Sequence, residues 1–135
     1  MPNWQPNWHN VRWDWGAADA AASSLRRAAD RLEAMTAERQ RVATEAQREW
    51  RGQYRKDFDE RFRSVLKRAH DLAAEFRYMA QRIQTTSQNA GAEQKHREAE
   101  RTRWHREKRA EEVCERRRRE EERRRREEER RRQNG

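Results

Sequence analysis

The sequence predicts an all-α protein: an antiparallel two-helix hairpin, followed by a long charged helix. Three observations predict it. Of 135 residues, 44% are charged and only 32% are apolar, too few for a large globular core. Two prolines and four glycines leave few interruptions, while the residues that lose least on entering a helix, Ala, Arg, Glu and Gln, fill most positions. Two stretches also repeat small or apolar residues at alternating spacings of three and four, the stripe of a helix lying along a partner helix. The chain divides accordingly into a Trp-rich segment (1–16), a hairpin (17–90) and a charged helical tail (91–135).

The opening segment holds four of the six tryptophans, Trp4, Trp8, Trp13 and Trp15, and has no helical period until Ala17. Asp14 and Asp19 are the candidate caps for the helix that follows, since a short acidic side chain accepts from the free N–H groups of a first turn. Stacking of these indoles on bases calls for a basic groove, and the segment offers only Arg12. Capping of the bundle or contact with a partner is the expectation.

The first helix is expected from about Ala17 to about Trp50. Its stripe is Ala18, Ala21, Leu25, Ala28, Leu32, Met35, Val42 and Ala46, with Arg39 as the charged intruder. The second stripe is Phe58, Phe62, Val65, Ala69, Leu72, Phe76, Met79 and Ile83, widened on one side by Leu66, Ala73 and Ala80. Alanine opposite aromatic and branched residues lets two helices approach closely. The turn falls at Trp50 to Gln53, where Gly52 takes backbone angles that a residue with a Cβ adopts at a cost. The expected hairpin and dimer interface is Leu25, Leu32, Met35 and Val42 against Phe58, Phe62, Val65, Leu66, Leu72, Phe76, Met79 and Ile83.

Thr85 to Gln94 carries Asn89 and Gly91 as stop residues and reads as a hinge. The tail beyond repeats Arg and Glu blocks with a period of seven, placing Glu120 before Arg124, Glu127 before Arg131 and Arg116 before Glu120 at the i,i+4 spacing of helical ion pairs. Such a helix stands in water without a core; Trp104 and Val113 are its few apolar candidates. Its forty or so residues would reach roughly 60 Å.

A Trp-x-Gly at the bend of a helical hairpin resembles the WXG100 (ESAT-6-like) family, small substrates of type VII secretion in actinobacteria and related bacteria. The resemblance covers about Ala17 to Gln88 and rests on Trp50-Arg51-Gly52, the Ala-rich first helix and the aromatic heptads of the second. It implies a hairpin that dimerises into an antiparallel four-helix bundle, as a homodimer or with another WXG100-like protein. It also implies Trp50 and Gly52 in a turn that the export machinery recognises. A single interface cannot cover Leu66 and Phe76 from both sides, which agrees with a dimer. The chain departs from the family in having no Tyr-x-x-x-Asp/Glu after the second helix: Trp104 is followed at the fourth position by Lys108, and Tyr78 by Arg82. The signal would then lie on a partner or in another determinant.

The net charge of +9 raises nucleic-acid binding as an alternative, which the regular Glu blocks disfavour. A cytoplasmic scaffold with a rigid arm is a second alternative. No enzyme and no cofactor is expected, because neither a glycine-rich phosphate loop nor a nucleophile, base and acid set on a concave scaffold occurs. His9, His70, His96, His105 and the single Cys114 show no metal-ligand spacing. No run reaches the length of a membrane span and no classical signal peptide opens the chain. The expectation is a cytoplasmic protein before any export, secreted if it is a substrate.

Overall fold

The computed structural model describes residues 2–135. It is all-helical, with two helices: α1, Trp15–Gln47, and α2, Gln53–Asn134. No strand occurs among the described residues.

Asp14 caps α1. Its backbone is extended, and its carboxylate accepts from the Ala17 N–H at 2.9 Å, satisfying one of the donors that the first turn leaves free. Asp19 lies inside the helix. At the other end α1 stops at Gln47, and the Arg48 N–H closes onto the Glu45 carbonyl at 3.3 Å. Gly52 then turns the chain at φ +96°, and a Cβ built there would meet nothing within 4 Å. Glycine is required here by backbone conformation and not by space. The Gly52 carbonyl accepts from the Lys56 N–H at 3.3 Å and so opens α2. Three rings brace the bend: Trp50 lies 5.2 Å from Phe58, which stacks on Phe62 at 5.5 Å.

The hairpin, Trp13–Ala90, forms one compact unit. With Ala18 and Phe62 assigned to position a of a heptad, the most deeply buried residues fall at position e. These are Ala22, Ala29, Thr36 and Ala43 on α1, and Ala73, Ala80 and Ser87 on α2. Ala29, Ala73 and Ala80 have no exposed surface. Ala18 at position a is buried, while Leu25, Leu32, Phe62, Ala69, Phe76 and Ile83 at the same position are half-buried. The expected stripe follows positions a and d, widened to position e on α2 by Leu66, Ala73 and Ala80 but not on α1. The seam instead runs through a and e, because residues without bulk are the ones that let the two backbones close. Thr36, the polar member on α1, donates its hydroxyl to the Leu32 carbonyl at 2.7 Å and so brings no free donor into the seam.

Polar contacts tie the helices along one flank. Arg77 reaches Asp30 at 2.6 Å and Glu33 at 2.9 Å, Arg26 donates to Gln84 at 2.6 Å, and Gln47 donates to Asp59 at 2.5 Å. Exposed pairs of this kind add little energy each, but they report the register.

The second compact unit joins the N-terminal segment up to Arg12 with Gly91–Gly135. Here the structure corrects two expectations. The expected helix stop at Asn89 and Gly91 does not occur, since both residues lie within α2. A lone glycine costs a helix only about 1 kcal/mol relative to alanine, and the good helix formers Ala90, Ala92, Glu93 and Gln94 surround it. The tail's expected ion pairs Glu120–Arg124, Glu127–Arg131 and Arg116–Glu120 are not closed among the described residues, whereas Arg119–Glu115 is, at 2.8 Å. All side chains from Arg109 onward are exposed, and in water such pairs are worth only a few tenths of a kcal/mol.

Gly52→Ala should lower the stability of the hairpin by about 1 kcal/mol, from the backbone angle alone. Asp14→Ala should cost about 1 kcal/mol through the lost cap. Urea unfolding followed by circular dichroism checks both.

Candidate functional site

The placement of small residues in the seam decides where the large ones go. Position d carries Met35 and Val42 on α1, and Phe58, Val65, Leu72 and Met79 on α2. Phe58 is half-buried, but Met35 is 53% exposed, Val42 57%, Val65 51%, Leu72 41% and Met79 44%. These residues share one side of the hairpin. Leu32, Met35, Leu72 and Phe76 line one shallow groove there, and Val42, Ala46, Phe58 and Phe62 line another. The opposite side is mixed: Gln40, Thr44, Gln47, Asp59 and Arg63 line its groove together with Ala43, Phe62 and Leu66. The hairpin thus has one side where exposed Met35, Val42, Val65, Leu72 and Met79 gather and one of mixed character.

Each of these apolar side chains would gain roughly 1.5–3 kcal/mol on full removal from water. This exposed patch makes the face the candidate interaction surface. Of the residues expected at the interface, Leu25, Leu32, Phe58, Phe62, Leu66, Phe76 and Ile83 are half-buried, whereas Met35, Val42, Val65, Leu72 and Met79 remain in solvent. The residues missed are Ala22, Ala29, Thr36 and Ala43. Their own seven-residue period was visible, but it ran beside a stripe with larger side chains.

At the bend, Trp50 is 41% exposed and packs on Phe58. Its carbonyl accepts from Arg55 at 3.3 Å. The indole is therefore supported on one side and open on the other.

The Trp-rich segment is not helical before Trp15. Trp13 and Trp15, in the hairpin unit, both donate their indole N–H to Ser87, one to its hydroxyl at 3.0 Å and one to its carbonyl at 2.9 Å. In the other unit the segment lies on α2 as a strap. Arg101 donates to the carbonyls of Asn7 at 2.8 Å and His9 at 2.7 Å, and to the Asn10 side chain at 2.9 Å. Arg97 also reaches the His9 carbonyl at 3.1 Å, and Gln94 accepts from the Val11 N–H at 2.8 Å. Pro6 is buried, and Trp8 meets Trp104 edge-on at 5.2 Å. Trp104 is buried beneath this cover, its indole nitrogen without a hydrogen-bond partner, while Val113 is exposed.

Trp4 donates to Glu107 at 2.7 Å, and the Arg103 guanidinium lies 4.5 Å from the Trp4 ring. The hydrogen bond from Trp4, followed by that from Arg103, holds the Glu107 carboxyl below the ordinary glutamate range, against an opposing desolvation effect. Among the described residues, no cluster of His, Cys, Asp and Glu could hold a metal ion, and no helix is long and apolar enough to cross a membrane.

Arg101→Ala should free the strap, seen as a red shift of tryptophan emission and faster proteolysis within residues 2–12, with the helix content retained. Because the Glu107 pKa is lowered in the folded chain, its contribution is complete above the ordinary glutamate value and is lost as pH falls through the lowered one. The Trp4 indole N–H resonance should follow that acid titration, and Glu107→Gln should abolish it.

No protein-family model, curated protein or solved structure matches this chain.

Proposed function

We propose that this chain is a WXG100-like protein associated with type VII secretion, acting by helix-to-helix binding and not by catalysis. The observation that carries the reading is the apolar face of a two-helix hairpin whose bend is Trp50-Arg51-Gly52. A hairpin of this size leaves Met35, Val42, Val65, Leu72 and Met79 in water, and a helical partner of matching period would cover them.

The partner in this reading is a second WXG100-like chain, identical or different, and the secretion machinery engages the assembled pair. Trp50 supports the reading through its placement: it is held by Phe58 yet half open, so it can brace the turn and still offer a ring to another protein. The destination in this reading is outside the cell.

Immunoblots of culture filtrate and cell pellet test this, in an actinobacterial host with and without a working type VII ATPase. Wild-type protein should reach the filtrate only with the ATPase. Trp50→Ala should stay in the pellet with its helix content unchanged. Retention of the wild type in the pellet of every strain, with any native partner co-expressed, would remove the secretion reading.

A further inference from the structure

The strap brings no carboxylate to the helix it covers: within residues 2–12 the one side chain of fixed charge is Arg12. We propose that the unit formed by the strap and Gly91–Gly135 binds single-stranded nucleic acid, with Trp8 stacking on a base and a row of arginines following the phosphates. This goes beyond the helix-binding reading above and uses neither the apolar face nor the bend.

In sequence the N-terminal tryptophans have no basic groove. The structure supplies one from residues distant in the chain, because docking sets the strap on a helix rich in cations. Trp8 meets Trp104 edge-on at 5.2 Å and His105 at 5.6 Å, yet it stays 46% exposed. The Arg103 guanidinium lies 4.5 Å from the Trp4 ring, and the Lys108 ammonium lies 5.2 Å from the Trp104 ring. Arg106 and Arg109 line a shallow groove with Thr102, and neither has an ion pair or hydrogen bond among the described residues. An indole fixed beside cations offers stacking and charge in one place, the combination that single-strand binders use.

The tail extends this surface. Its repeat has four arginines and three glutamates in seven residues, which cannot alternate evenly around a helix, so one sector sets arginine beside arginine. At about 100° per residue, Arg116, Arg119, Arg123, Arg126 and Arg130 fall within roughly 80° of arc, a row about 21 Å long. No glutamate shares that arc between Arg116 and Arg130; Glu112 stands ahead of the row. The same arc carries Arg101, His105 and Lys108, so the row runs on from the side of α2 that the strap occupies. Arg119 is held by Glu115 in an exposed pair at 2.8 Å, and the other four arginines have no ion pair or hydrogen bond among the described residues. The Glu blocks weigh against phosphates around the whole tail, but not along this arc.

Two rival partners share part of this chemistry. An anionic bilayer surface attracts indoles and cations, but it asks for an apolar face around the rings. The strap instead surrounds Trp8 with exposed Gln5, Asn7, His9 and Asn10, and amide and imidazole groups bond the edges of unpaired bases. A duplex has phosphates for the arginines but keeps its bases stacked on one another. Trp8 would then have nothing to stack on.

Fluorescence anisotropy on the full chain tests this, with labelled oligothymidylate and oligouridylate of about twelve nucleotides; comparing the two separates DNA from RNA. At low salt the wild type should bind at least one of them, with affinity falling steeply as salt rises. Trp8→Ala should weaken binding about tenfold and Trp8→Tyr should restore most of it, while the Trp4 indole N–H resonance reports that the strap stays docked. Arg116→Gln, Arg119→Gln, Arg123→Gln, Arg126→Gln and Arg130→Gln together should flatten the salt dependence. The same change at Arg117, Arg118, Arg124, Arg125 and Arg131 removes equal charge from other sides of the helix and should flatten it less. Glutamine is nearly as good a helix former as arginine, and circular dichroism confirms that each variant folds. Equal losses from the two sets overturn the row, and unchanged affinity in Trp8→Ala overturns the stacking. A duplex bound as tightly as either single strand, or binding to phosphatidylglycerol vesicles with none to either oligonucleotide, overturns the proposed partner.

Discussion

Two helices in a hairpin share one seam, and each can place only one narrow stripe in it. Everything else follows from which residues occupy that stripe. Ala22, Ala29, Thr36 and Ala43 facing Ala73 and Ala80 bring the backbones close. The residues with the most to gain from burial are displaced to the flank, where a single hairpin has nothing to cover them. A seam lined with leucine would have made a better monomer and a poorer binding surface. The structure therefore holds together through its smallest side chains and leaves several of its larger ones in solvent.

The same economy appears at both ends of the hairpin. At the bend, Gly52 supplies a positive φ and Trp50 and Phe58 supply the mass that keeps the turn from fraying. At the open end, Trp13 and Trp15 converge on one serine, which offers them both its hydroxyl and its carbonyl. Aromatic residues close the two ends, while alanines run between them. In the other unit, the strap gives α2 a cover over Trp104, although that part of the helix has almost no apolar stripe of its own.

The helical class, the bend and the cap were legible because each is local: a period, a glycine beside a tryptophan, an aspartate before an alanine run. The choice between neighbouring stripes was not, since Ala21 and Ala22 look alike in sequence and only the facing helix decides which turns inward. Gly91 misled because a glycine amid polar residues is an ordinary helix stop, and the continuation of α2 rests on the helix formers around it. The strap was invisible for a different reason. Arg97 and Arg101 bind backbone carbonyls, which every residue carries, so no pattern of side-chain types announces the contact. The apolar face was legible as a set of residues expected at a hairpin and dimer interface; which of them the hairpin itself covers was not, and Met35, Val42, Val65, Leu72 and Met79 are the ones it leaves in solvent.

The strap has one more consequence. Arg101 is satisfied by two carbonyls and an amide, all neutral, so docking the strap cancels none of the positive charge on this part of α2. Dissolved ions compete with pairs of opposite charge far more than with dipoles held at hydrogen-bond distance. Raising the ionic strength would therefore strip the hairpin's charged flanks of their influence while the strap stays seated, and the two halves of this chain answer to different properties of the same solvent.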